Sequence, residues 1–103
     1  IVKDHSLQLG PFQGSVGCYT IAKGKGVCGT SWDSQKTIIV DDVELFEGHI
    51  ACSSLSRSEI VVPVFKDNVV VAVIDVDSKD LASFDEHDAK GLESIAQLVA
   101  PMF

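Results

Sequence analysis

Three cysteines and a small set of acids are the residues whose types and spacing suggest chemistry. Cys52 sits in GHIACSSLSRSE (residues 48–59), a small, polar stretch with His49 three positions before the thiol and Glu59 seven after. A thiolate there can attack an electrophile, and an acid beside it can protonate the leaving atom. His49 is a second candidate helper, as a base to Cys52. The plainer reading of His49 is a loop histidine bonded to backbone. Any lone cysteine also has a plain reading as a small buried hydrophobe, and Cys28, beside Val27, fits it. Cys18 follows Gly17, where a second backbone could approach. The cysteine spacings contain no CxxC pair, so a structural zinc site is poorly supported. An odd number of cysteines also argues against a secreted disulfide framework and for a cytosolic protein with reactive or buried thiols.

The acids gain meaning from the elements that carry them. Residues 59–65 and 69–77 are rich in β-branched side chains and are separated by Lys66-Asp67-Asn68. They read as a hairpin. A three-residue loop with Asn68 in the left-handed region places Phe65 opposite Val69 and Glu59 opposite Asp75. Asp75 and Asp77 share a face because strand side chains alternate, so Glu59, Asp75 and Asp77 gather at one end of one face. The bland alternative is a solvated strand end. Like charges held together raise at least one pKa, so one acid can keep a proton near neutrality while the others hold a cation, such as a substrate ammonium. A divalent metal is the competing functional reading, since hard cations favour oxygen ligands.

Both faces of the hairpin are otherwise apolar. Val61, Phe65, Val71 and Val73 lie on one, and Ile60, Val62, Val64, Ala72 and Ile74 on the other, as in a central strand pair covered on both sides. One cover is a helix. Asp85 is a good N-cap, Glu86 and Asp88 suit the first turn, and Leu92, Ile95, Ala96, Val99 and Met102 follow helical spacing. Upstream, residues 1–9 alternate weakly and residues 15–22 read as a strand. Residues 27–35 read as a short helix with Trp32 in the core, and residues 37–40 as a strand. Residues 41–58 carry no clean period and read as a long loop. The architecture is α+β: an antiparallel sheet with helices on one face and something else on the other.

The chain has 103 residues, 46% of them hydrophobic, which suits one small domain and one core. Its net charge is −7 with a pI near 4.6. The eight Lys and Arg form no cluster, which argues against a nucleic-acid partner. The apolar runs are far shorter than the ~20 residues of a membrane span. His5 and His87 read as surface residues, and Arg57 as either a carboxylate clamp or an exposed charge.

In order along the chain come GPFQG (10–14), GKGVCGT (24–30), GHIAC (48–52), SRSEIVVP (56–63), DVDS (75–78) and FDE (84–86). Together they resemble the free methionine-(R)-sulfoxide reductases, which are GAF-domain enzymes. The likeness runs across nearly all of residues 1–103 and includes the three cysteines at matching spacings. It implies a six-stranded antiparallel GAF sheet with a ligand pocket on one face. It also implies reduction of free L-methionine-(R)-sulfoxide, with thioredoxin as external reductant and no bound cofactor or metal. By the same resemblance Cys52 is the nucleophile, Cys18 the usual resolving thiol and Cys28 an accessory recycling thiol. Glu59, Asp75 and Asp77 then line the substrate site. A homodimer in the cytoplasm is the implied setting. The chain opens on Ile1 inside what reads as a strand, and the resemblance implies an amino-terminal helical segment and a further strand before it, whose aromatic residues would close over the substrate methyl group. Two other readings stand beside this one: a non-catalytic GAF sensor of a small molecule, and a thiol sensor of peroxide.

Overall fold

The centre of the molecule is built from the most β-branched part of the chain. In the computed structural model, which describes residues 1–3, 6–10, 20–46, 48 and 56–103, β5 (Ser58–Lys66) and β6 (Val69–Ser78) pair antiparallel. Their branched side chains pack well on a pleated surface. The connection is a two-residue turn, Asp67-Asn68, with φ of 55° and 65°. Two left-handed central residues make a primed turn whose twist matches the flanking strands. The three-residue loop expected from the sequence is therefore replaced, and Lys66 pairs with Val69 and Phe65 with Val70.

A bulge then resets the register. Val64 pairs with Ala72, so Val71 is the extra residue. Beyond it Glu59 lies opposite Asp77, and Asp75 lies opposite Val61. The expected pairing of Glu59 with Asp75 is thus off by two positions, a shift that preserves the face. Without the bulge, the two-residue turn would set Glu59 against Val76 and send it to the other face. The bulge also exchanges two valines. Val70, rather than Val71, packs with Val61, and Val71 joins the opposite cluster.

β4 (Ile38–Val40) flanks β5 on its other side, with Val40 opposite Glu59. β5 is therefore the middle strand of the order β4-β5-β6. A second antiparallel sheet has the order β1 (Val2–Lys3), β2 (Ser6–Gln8) and β3 (Thr20–Ala22). The nine residues read as one alternating stretch thus hold two paired strands, and the described strands divide into two three-stranded sheets where a single six-stranded one was expected. Of the strand expected over 15–22, only its end lies among the described residues.

One face of the β5–β6 pair is covered by α2 (Glu86–Val99). Its start is set locally: Asp85 accepts from the backbone N–H groups of His87 at 2.9 Å and Asp88 at 3.1 Å, and Asp88 accepts from the Asp85 N–H at 2.9 Å. This reciprocal cap satisfies donors the helix leaves open. Ala89 and Ala96 face Ile60, Val62, Val64 and Ala72, with Leu92 and Val99 beside them. Ile95 and Met102, expected on this stripe, point to solvent instead, 48% and 81% exposed. The buried positions of the helix are its small alanines, Ala89 and Ala96.

The other face meets α1 (Gly26–Ser34), through Val27, Cys28 and Trp32 against Val61, Val70 and Leu7. Helices therefore cover both faces, and α1 lies on the side that carries the acids. Its seating depends on Gly29. A Cβ there would stand 2.5 Å from the Ala22 carbonyl oxygen, and the Gly29 carbonyl accepts from the Gly24 N–H at 2.9 Å. Among the described residues no helix is long and apolar enough to cross a membrane.

Candidate active site

Three elements bring the chemistry together. β5 supplies Glu59, β6 supplies Asp75 and Asp77, and α1 supplies Cys28. The Cys28 thiol donates to Asp75 Oδ2 at 3.3 Å. Glu59 hydrogen-bonds Asp75. Cys28 Sγ and one carboxylate oxygen each from Glu59 and Asp75 all lie within 4.8 Å of one another. Atoms so close can share a cation, but the arrangement found is a hydrogen-bonded one. Asp75 accepts from two neighbours that hold their protons.

Burial sorts these groups. Glu59 is only 6% exposed, whereas Asp75 and Asp77 are open to solvent. Desolvation, then the hydrogen bond to Asp75 and the charges of Asp75 and Asp77, push the Glu59 carboxyl up to about 10. Asp77 is pushed up to about 6 by desolvation and by Asp75, against the Ser56 hydroxyl bonded to its carboxylate. Solvent tempers that second shift, since Asp77 is an exposed residue. Burial, followed by the charges of Asp75 and Glu59, raises the Cys28 thiol far above its ordinary value. The result is one neutral acid able to donate a proton, beside two carboxylates facing water and able to hold a cation.

The mouth of β5 is pinned from several directions. The Arg57 N–H donates to the Ser78 carbonyl at 2.7 Å, the Val43 N–H to the Arg57 carbonyl at 2.9 Å, and the Ala82 N–H to the Asp41 carbonyl at 2.9 Å. Ser58 is fully buried; its hydroxyl donates to the Asp80 carbonyl at 2.6 Å and accepts from the Ser83 N–H at 3.3 Å. Part of the stretch read as a long loop is in fact ordered by these bonds, including a 3-10 turn, Val43–Leu45, capped by Asp42. Arg57 itself is exposed and contributes here through its backbone.

Of the residues singled out from the sequence, Glu59, Asp75, Asp77 and Cys28 meet, and Trp32 is core as expected. His87 is exposed. Cys18, Cys52, His5 and His49 lie outside the described residues. Ser56 and Ser58 were missed. Their only signal is a pair of small hydroxyl residues just before a buried acid. A groove of about 740 Å³ opens on the α2 side, lined by Ile39, Pro63, Phe65, Glu86 and Glu93 among others, and it contains none of the clustered acids.

Comparison with known proteins gives this geometry a family. The GAF domain profile matches residues 4–103. The chain is 56% identical over 96 residues to GAF domain-containing protein A of Dictyostelium discoideum, covering 93% of this chain and 61% of that protein. It is 47% identical over 98 residues to the free methionine-R-sulfoxide reductase of Saccharomyces cerevisiae, covering 94% and 54%. The X-ray structure of the free methionine-R-sulfoxide reductase of Neisseria meningitidis in complex with its substrate superposes with a TM-score of 0.93 at 49% identity, covering 96% of this chain and 59% of that one. The chain thus spans 54 to 61% of the length of these proteins. With the profile matched over almost all of its residues, the chain belongs to the GAF domain family.

Proposed function

We propose that this domain is the catalytic part of a cytoplasmic enzyme that reduces free L-methionine-(R)-sulfoxide to methionine. The observation that carries the reading is Glu59, buried and hydrogen-bonded to Asp75 so that its carboxyl is pushed up to about 10, beside two solvent-facing carboxylates. A sulfoxide oxygen leaves only when protonated, and the substrate's ammonium needs anions. Similarity to proteins named for this reaction supports the same reading.

In the first step the Cys52 thiolate attacks the sulfoxide sulfur. Glu59 gives its proton to the oxygen, and the oxygen passes to the cysteine sulfur. Methionine leaves, and Cys52 becomes a sulfenic acid, two electrons more oxidised. The Cys18 thiol then attacks the Cys52 sulfur, a disulfide forms and water departs. Thioredoxin's dithiol reduces that disulfide by exchange and is itself oxidised. Asp75 and Asp77 bind the ammonium, so methionine within a peptide, which lacks that charge, is refused. Anions beside a thiol oppose its ionisation. Glu59 contributes no charge while protonated, and the bound ammonium offsets one of the two aspartate charges.

The test couples the protein to thioredoxin, its reductase and NADPH, offering (R)- and (S)-sulfoxides, free and peptide-bound. NADPH consumption with the free (R) form alone is expected, and Cys52→Ser abolishes it. Turnover of peptide-bound sulfoxide, or full activity in Cys52→Ser, would overturn the proposal. Tight binding without turnover would make the domain a sensor.

A further inference from the structure

The resemblance gives Cys28 a redox role, but its surroundings describe a different one. The residue is 8% exposed, and burial together with the neighbouring carboxylates holds its thiol protonated. A buried thiol of that kind is a poor nucleophile. Its hydrogen is already committed, donated to Asp75 Oδ2 at 3.3 Å across 47 positions of sequence. We infer that Cys28 is a positioning residue, whose S–H holds the Asp75 carboxylate turned toward Glu59.

The geometry supports a fixed donor. α1 is seated closely, because a side chain at Gly29 would run into the Ala22 carbonyl and the Gly29 carbonyl accepts from the Gly24 N–H. Val27 and Trp32 lock the same helix into the core. Asp75, by contrast, stands on β6 and is open to water. A carboxylate there has solvent as an alternative partner, and the thiol is what keeps it inward. Asp75 in turn is a hydrogen-bond partner of Glu59. The remaining charged or titratable groups near this chain of contacts, among the described residues, are Asp77 on β6, held by the Ser56 hydroxyl, and the Ile1 ammonium, which lies within electrostatic reach of Cys28.

Three substitutions separate this role from a redox one. Cys28→Ser keeps a donor and removes the redox chemistry. Cys28→Ala removes both, and Cys28→Val does so while filling the space, which covers the case that the alanine variant does not fold. The kinetic arm rests on the function proposed above, while a carbon-detected NMR titration of the Glu59 carboxyl does not. In that titration Cys28→Ser is expected to follow the wild type. Cys28→Ala or Cys28→Val should titrate at least about one pH unit lower, as Asp75 turns to water and Glu59 loses its partner. In the thioredoxin-coupled assay Cys28→Ser should stay within about threefold of wild type, and the apolar variants should lose about tenfold or more in kcat. Equal titration of Glu59 in the serine and apolar variants would overturn the inference. So would a serine variant as inactive as the alanine one, the pattern of a required redox thiol. A wild type that titrates as described but never turns over would sink the proposed function and leave the positioning role standing.

Discussion

Replacing Glu59 with glutamine should make the protein more stable and less active at once. The folded carboxyl holds its proton up to about pH 10, while the unfolded one releases it at its ordinary value of 4.5. Both states are protonated below 4.5, so the carboxyl's contribution is fully present there. It is lost as pH rises toward 10, because unfolding then releases a proton. Each pH unit in that window is equivalent to about 1.4 kcal/mol. At pH 7 the loss is therefore about 3 kcal/mol, set by the distance from 4.5 to 7 and independent of how far above 7 the folded value lies. Glutamine has no proton to lose and can still donate to Asp75. Asp77, raised to about 6, adds a slope of the same sign to both proteins and drops out of the difference. Urea unfolding of wild type and Glu59→Gln at about pH 4.5, 6, 7 and 8 measures the effect. The stability gap should widen by about 3 kcal/mol between the first and third of these. Parallel curves would mean that Glu59 is ionised in the folded protein, and the proton donor assigned above would be gone. In the coupled assay the same variant should lose about 100-fold or more, since an amide cannot supply the proton.

Two further changes probe the elements that hold the site. Gly29→Ala puts a methyl 2.5 Å from the Ala22 carbonyl oxygen, and relief of that clash should cost about 1–3 kcal/mol in urea unfolding; because α1 must shift, the Glu59 titration should move with it. Asp85→Ala removes the acceptor for two backbone N–H groups at the start of α2 and should lower the urea midpoint in the same assay, with the Glu59 titration unchanged because α2 lies on the opposite face.

What could be read from the sequence depended on how local its cause was. The cap of α2 was legible because Asp85 bonds to residues two and three positions on. The gathering of Glu59, Asp75 and Asp77 was legible through a register that was itself wrong. A three-residue loop and a two-residue turn followed by a bulge differ by two pairing positions, and side-chain alternation makes those two solutions equivalent for the face. The bulge left no mark in Val69-Val70-Val71-Ala72-Val73, where every residue is apolar and none shows which valine turns inward. The stripe of α2 was misjudged for a related reason. Hydropathy ranks Ile95 above Ala89, but the helix turns Ala89 and Ala96 to the sheet and leaves Ile95 facing water. The identity of the protonated acid was beyond any pattern, because it follows from strand order. Glu59 is on the middle strand, walled by Val40 on β4 and Asp77 on β6, and is desolvated. Asp75 and Asp77 stand on β6, the outer of the three described strands of its sheet, and reach water. Three carboxyls close in space thus divide into one neutral acid and two solvent-facing carboxylates, and the division is made by the pairing of β4 with β5 rather than by the residues themselves.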